Sequence, residues 1–253
     1  MDQFKNSDDS HVHSKKIFDL LYEYDDFLDS LGVIADMGCG TGADIGWWSS
    51  LNNRETPPEP HNYTCYAVDK NIKQLDQTIL SSNRNIVPIE GNFESGRLIP
   101  RQIDLLWCHD AFQYAINPLA TLKLWNENMN VDGMMILSVP QHQSYQYNRL
   151  VTRGHSGSFY HYNICNLMYM LAVNGFDCRD CYFKKDENDS WLYAAVYKSS
   201  IPPMAPLTTN WYDLIDNGLV GDTVAQSMLK FGHVRQEELI VSWFDRNFHR
   251  IKT

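Results

Sequence analysis

The chain has 253 residues, room for one sizeable α/β domain and an appendage but short for two full domains. Hydrophobic residues make up 43% and charged residues 21%, as in ordinary soluble globular proteins, and no apolar run approaches the roughly 18 residues of a membrane span. Lysine and arginine total 21 against 31 aspartates and glutamates, and a net charge of −10 disfavours nucleic acid, whose binding draws on cations at phosphates.

Residues 1–14 are polar and lack the apolar core of a signal peptide, so the cytosol is the expected compartment. His11 and His13 beside Asp8 and Asp9 read as a solvated tail rather than a metal site. From Lys15 to Leu31, Ile17, Leu20, Leu21, Tyr24, Phe27, Leu28 and Leu31 recur at helical spacing. VIADMG (33–38) reads as a buried strand entering a glycine loop, and ADIGWWSSL (43–51) as the helix behind it, with Trp47 and Trp48 packing. NNRETPPEPHN (52–62) is a loop.

Alternation follows. YTCYAVD (63–69) predicts a strand, NIKQLDQTILSS (71–82) a helix, NIVPIEG (85–91) a strand, GNFESGRLIP (91–100) a loop and IDLLWC (103–108) a strand. NPLATLKLWNENM (117–129) predicts a helix capped by Asn117 with Pro118 in its first position. Asp132 and Gly133 turn into the buried strand GMMILSVP (133–140). Repeated strand–helix alternation predicts a doubly wound, mostly parallel sheet with helices on both faces.

Beyond Pro140 the segment 141–163 is rich in tyrosine and histidine and poor in aliphatics. Aromatic groups with polar tips suit a partly polar small molecule. His142, Tyr145, Tyr160 and His161, with Asp110 from the end of the preceding strand, form the expected substrate wall. ICNLMYMLAVNG (164–175) predicts a helix with Gly175 as a left-handed cap. FDCRDCYF (176–183) and WLYAAVYK (191–198) predict a terminal antiparallel hairpin. Its C-x-x-C puts Cys178 and Cys181 on opposite faces of a strand, so no metal is expected there, and the other cysteines read as small hydrophobes. IPPMAP (201–206) links to helices around Asp222–Lys230 and Gln236–Phe248, the latter carrying Leu239, Ile240, Trp243 and Phe244 on one side. That side reads as a docking face against the main domain or, failing that, a homodimer contact. The expected organisation is therefore a tail and helix over 1–31, a ligand-binding domain over 32–200 and a helical extension over 201–253.

The loop VIADMGCGTGAD (33–44) suits two ligand classes. Gly38, Gly40 and Ala43 satisfy the dinucleotide pattern G-x-G-x-x-A, in which a helix N-terminus receives a pyrophosphate. Asp36 argues against that, because a carboxylate beside a pyrophosphate sets anion against anion. It favours a cationic ligand, and Asp69 at the end of the second predicted strand is placed to accept hydrogen bonds from ribose hydroxyls. Ribose and cation together describe S-adenosylmethionine better than NAD.

DMGCGTG (36–42), with Asp69, resembles the first motifs of class I S-adenosylmethionine-dependent methyltransferases. Gly91-Asn92-Phe93, IDLLWCHDAFQY (103–114), NVDGMMILSVP (130–140) and FYHYNICNLMYMLAVNGFDC (159–178) resemble their later motifs in order, and the closest likeness is to the type 11 domain. The resemblance covers about residues 30–198 and implies a seven-stranded Rossmann-like sheet. It also implies S-adenosylmethionine as methyl donor, held by Asp36, Gly38, Cys39, Gly40, Thr41, Gly42, Asp69, Lys70, Asn92, Phe93 and Cys108. The implied reaction is methyl transfer to an oxygen or nitrogen of a small molecule, or alternatively of a protein or RNA. A noncatalytic binding protein on the same fold is the other alternative. His109, at the sheet's carboxyl edge, is the candidate acceptor-side base, although a histidine simply hydrogen-bonded to backbone is the first expectation there. Three departures stand out: Asn92 replaces the usual aspartate, Asp132-Gly133-Met134 keeps one of two common glycines, and the Asn-Pro-Pro-Tyr of nucleobase amine methylation is absent.

Overall fold

Strands buried on both faces need apolar side chains at every position, and the sequence supplies four such runs. In the computed structural model, which describes residues 31–50, 63–140, 160, 162–185, 191–236 and 239, these runs form the centre of a seven-stranded sheet. The strands are β1 (Val33–Met37), β2 (Thr64–Asp69), β3 (Ile86–Glu90), β4 (Ile103–His109), β5 (Met129–Pro140), β6 (Phe176–Lys185) and β7 (Trp191–Lys198), in the order β3-β2-β1-β4-β5-β7-β6. The first five run parallel, and β7 lies antiparallel to both β5 and β6. The doubly wound architecture and its terminal hairpin are as the sequence predicts.

Alternation divides the core into two layers. On one face Ile34, Leu105, Trp107, Ile136 and Ala195 meet Ile45 and Trp48 of α1 (Ala43–Ser50), with Leu75 beside α2 (Gln77–Ser82). On the other, Val33, Ala35, Leu106, Leu137 and Val196 meet Leu122 and Trp125 of α3 (Pro118–Asn128) and Leu167 and Leu171 of α4 (Ile164–Val173). Asn117 caps α3 through its side chain with Pro118 in the first turn, and Gly175 ends α4 at φ +81°, both as predicted.

Three expectations change. The helix foreseen over 71–82 is two pieces, a short turn at Ile72–Gln74 and then α2. Asp76 starts α2 anew by accepting from the N–H of Thr78, while its own N–H reaches back to the carbonyl of Thr41 in the glycine loop. The strand foreseen from Gly133 begins at Met129 and carries a register irregularity opposite Ile103 and Leu105, with Asp132 left-handed at φ 64°. A helix that was not foreseen, α5 (Trp211–Asp216), precedes α6 (Asp222–Phe231).

The segment after β7 joins the α4 layer of the core. Leu214, Leu219, Val220 and Val224 are buried there, Cys178 forms an isolated parallel bridge with Val220, and Tyr169 Oη donates to the carbonyls of Pro206 and Thr209. α5 and α6 are packed onto the main domain, whereas the helix expected to dock at 236–248 lies almost wholly outside the described residues. No helix among the described residues is long and apolar enough to cross a membrane.

Candidate functional site

The site is built where β1 and β4 end, at the carboxyl edge where open α/β sheets bind ligands. The loop between β1 and α1 is tied to the neighbouring strand, since the N–H groups of Gly38 and Cys39 both donate to the carbonyl of Val68, at 2.8 and 3.0 Å. A side chain at Gly38 would put its Cβ 2.4 Å from that of Ala111, and one at Gly42 would sit 2.1 Å from Leu75 Cδ1. Those two glycines are demanded by packing. All three glycines have positive φ (+87°, +52° and +83°), but a Cβ on Gly40 would meet nothing within 4 Å among the described residues. The middle of the loop faces open space, the property required of backbone that a ligand must approach.

Carboxylates surround this opening. Asp69 closes β2, its Oδ2 accepting from Gly40 N–H at 3.1 Å and its Oδ1 from Asn71 N–H at 2.8 Å. Asp36, one residue from the end of β1, is only 2% exposed. Its Oδ2 is buried with no hydrogen-bond partner, and among the described residues no lysine or arginine pairs with Asp36 or Asp69. Burial, with the nearby charges of Asp44 and Asp69 added, pushes the Asp36 carboxyl well above the usual carboxylate range. A buried carboxylate with an idle oxygen is costly unless a cationic or donor group completes it.

The adenine-side expectations resolve unevenly. Phe93 is half-buried, with its ring 5.7 Å from that of Trp125 and Cε1 3.9 Å from a Cβ placed on Gly38, so it borders the loop. The Asn92 amide oxygen is engaged in a local turn, accepting from Glu94 N–H at 3.0 Å. Glu94, which sequence reading passed over, accepts from the N–H groups of Ile116 and Asn117 and from the Thr121 hydroxyl. It thereby fastens this loop to the start of α3. Thr41 and Lys70 are exposed, Cys39 is buried beneath the loop, and the Cys108 side chain lies wholly in the α3–α4 core layer. Burial pushes the Cys108 thiol up, so any part it plays at the site runs through its backbone.

On the acceptor side, His109 ends β4 on the α1 face, with Nδ1 3.5 Å from Asp44 Oδ2. Asp110 follows in a left-handed conformation, φ 52°, and its Oδ1 accepts from the Gln113 amide. Tyr160 is 38% exposed and donates to the carbonyl of Ile116 at 3.0 Å. His142, Tyr145 and His161 lie outside the described residues. The structure therefore gathers Asp36, the glycine loop, Asp69, Phe93, His109 and Asp110 at one end of the sheet. It adds Asp44 and Glu94, whose partners are too distant in sequence for local reading to find.

No family model matches the chain, and no curated protein matches it in sequence. Solved structures do match in shape. Magnesium protoporphyrin IX methyltransferase from Synechocystis, with bound SAH, shares 15% identity over 75% of this chain and 84% of that one, with a TM-score of 0.55. The 1,6-didemethyltoxoflavin-N1-methyltransferase of Burkholderia thailandensis, bound to 1,6-didemethyltoxoflavin and S-adenosylhomocysteine, shares 12% over 76% and 79%, at 0.55. A putative sarcosine dimethylglycine methyltransferase from Galdieria sulphuraria shares 11% over 75% and 86%, at 0.57. The chain has the fold of class I S-adenosylmethionine-dependent methyltransferases.

Proposed function

We propose that the protein is a methyltransferase that takes S-adenosylmethionine as donor and a small molecule as acceptor. The observation that carries this reading is the buried, idle oxygen of Asp36 beside a glycine loop in which, among the described residues, nothing crowds the Cβ position of Gly40. That pairing fits a ligand whose cationic end lies against a carboxylate and whose body lies along bare backbone. It does not fit a pyrophosphate, which the three carboxylates would repel. Asp36 would hold the ammonium end, Asp69 the ribose, and Phe93 the edge of the adenine.

When bound, S-adenosylmethionine supplies an electrophilic methyl carbon. The chain's own residues supply orientation and a dry setting, the main catalytic resource for such a transfer. His109 stands at the strand end as the group able to take a proton from the acceptor. A small acceptor is supported by solved neighbours whose names specify small-molecule substrates, and the net charge of −10 argues against RNA. A cytosolic setting remains part of this reading. So does a homodimer through the extension, for which exposed Leu207, Tyr212 and Leu229 are the available apolar side chains.

Titration calorimetry with S-adenosylmethionine, S-adenosylhomocysteine and NAD is the first test. Binding of either sulfur compound without NAD is expected; heat with NAD alone would reassign the loop to a dinucleotide.

A further inference from the structure

We propose that Glu94 is a positioning residue for Tyr160, so that filling the cofactor site is felt at the substrate wall; this rests on the methyl-transfer reading above. Glu94 directly follows Phe93, and its own N–H donates to the Asn92 side chain at 3.0 Å. Its Oε1 accepts from the N–H groups of Ile116 and Asn117, at 2.8 and 3.1 Å, and from the Thr121 hydroxyl at 3.3 Å. The Tyr160 hydroxyl donates to the carbonyl of Ile116 at 3.0 Å. That carbonyl and the N–H of Asn117 belong to one peptide unit. The unit is therefore gripped at both ends, by Glu94 at its nitrogen and by Tyr160 at its oxygen.

A peptide unit is planar, so a tilt imposed at one end is carried to the other. Packing does little to set the tilt of this one, because the Ile116 side chain is 70% exposed. The chain just beyond it is fixed: Asn117 caps α3 by accepting from Ala120 N–H at 3.1 Å, and Pro118 locks the next φ. The unit is thus a short pivot against a rigid helix start. Charge adds to geometry, since a carboxylate at the N–H polarises the unit and strengthens its carbonyl as an acceptor for the phenol.

A second route joins the same two places through packed rings. Phe93 meets Trp125 edge-on at 5.7 Å, and Trp125 lies 5.4 Å from Phe112. Phe112 stacks on Tyr162 at 5.7 Å, and Tyr162 is 6.4 Å from Tyr160. Trp125, Phe112 and Tyr162 are buried, and the Trp125 Nε1–H also holds the Phe93 carbonyl at 3.1 Å. Close-packed rings yield little, so adjustment falls on the exposed polar route. A ligand edge against Phe93 shifts the turn that carries Glu94, and the peptide passes the shift to the Tyr160 hydroxyl. The coupling is mutual: what Tyr160 gains from the cofactor, the cofactor gains from Tyr160.

Fluorine NMR of protein labelled with 3-fluorotyrosine, the Tyr160 signal assigned with Tyr160→Phe, reads the coupling without any acceptor. Saturating S-adenosylhomocysteine should move that signal in wild type, and an unmoved signal overturns the proposal. Glu94→Ala should abolish most of the movement, and Glu94→Gln, which keeps an accepting oxygen, should restore much of it. Equal movement in all three proteins overturns the relay. Calorimetry gives a reading that does not depend on Glu94→Ala folding. Tyr160→Phe should weaken S-adenosylhomocysteine binding about fivefold, the worth of one such hydrogen bond, and unchanged affinity overturns the proposal. Added to Glu94→Ala, the same change should cost little more, whereas independent structural losses would add and so overturn the relay. Failure of the wild type to bind S-adenosylhomocysteine would instead sink the methyl-transfer reading itself.

Discussion

Asp69 holds Gly40: its Oδ2 accepts the glycine's N–H at 3.1 Å, so the second strand's carboxylate fixes a loop glycine whose Cβ position meets no atom of the described residues within 4 Å. The other oxygen accepts from Asn71, and a carboxylate with about four acceptor positions still has two for ribose hydroxyls. Asp69→Ala removes both roles. Calorimetry should show affinity for S-adenosylhomocysteine reduced at least tenfold, and hydrogen exchange should quicken at Gly40. Full affinity in the variant would place the ribose elsewhere.

Gly40→Val separates fold from binding. Among the described residues no atom lies within 4 Å of the new Cβ, so the stability cost is chiefly the left-handed backbone's, about 1–2 kcal/mol. Cofactor binding should be nearly abolished, because the side chain fills the ligand's approach. Gly42→Ala should do the reverse of this division, since its Cβ strikes Leu75 at 2.1 Å and the damage falls on folding. Thermal melts paired with calorimetry distinguish the two.

Asp36 makes a prediction with a definite sign. Its carboxyl lies well above the usual range in the folded protein, chiefly through burial. A group raised on folding contributes stability below its unfolded pKa and loses it as pH rises through the folded value. Without ligand, Asp36→Asn should therefore melt higher than wild type near neutrality, by roughly 2–4 °C for each kcal/mol relieved. That gap should close as pH falls toward about 4, where the acid is protonated in both states. Affinity for S-adenosylmethionine should change the opposite way, falling in the variant and, in wild type, rising with pH as the carboxylate forms. A variant that melts lower at every pH would contradict this account.

The extension is tested at its anchor. Leu214 is fully buried in the core layer formed with α4, and truncating such a leucine costs about 2–5 kcal/mol. Leu214→Ala should lower the melting temperature of the whole chain in one cooperative transition. A separate early transition, leaving the sheet intact, would show that the extension folds as its own unit.

Much of this could be read from the sequence because buried parallel strands announce themselves. VIADM and IDLLWCH carry apolar runs too short for helices, and Asp36 and Asp69 are conspicuous as acids near the ends of such runs. What escaped depends on contacts between distant segments. The break at Asp76 follows from its N–H bonding Thr41 and from Leu75 sitting under Gly42, neither of which periodicity records. Asp44 meets Trp107 across 63 residues, so its role could not show in ADIGWWSS. The missed α5 is a different failure: Asn210 and Asp213 form a capping box that was visible in NWYD and went unread.

An open sheet leaves two rows of backbone groups at its margins, and here each is dealt with by a separate means. At one margin Pro88 interrupts β3, where a missing N–H spoils the template for an incoming strand. At the other, the chain returns past β7 and lays Leu219 and Val220 against β6, the N–H of Cys178 donating to the Leu219 carbonyl at 2.8 Å. The extension is therefore a guard on β6 as well as part of the core. Detaching it would uncover a ready pairing edge, and the loss would appear first as self-association between sheets.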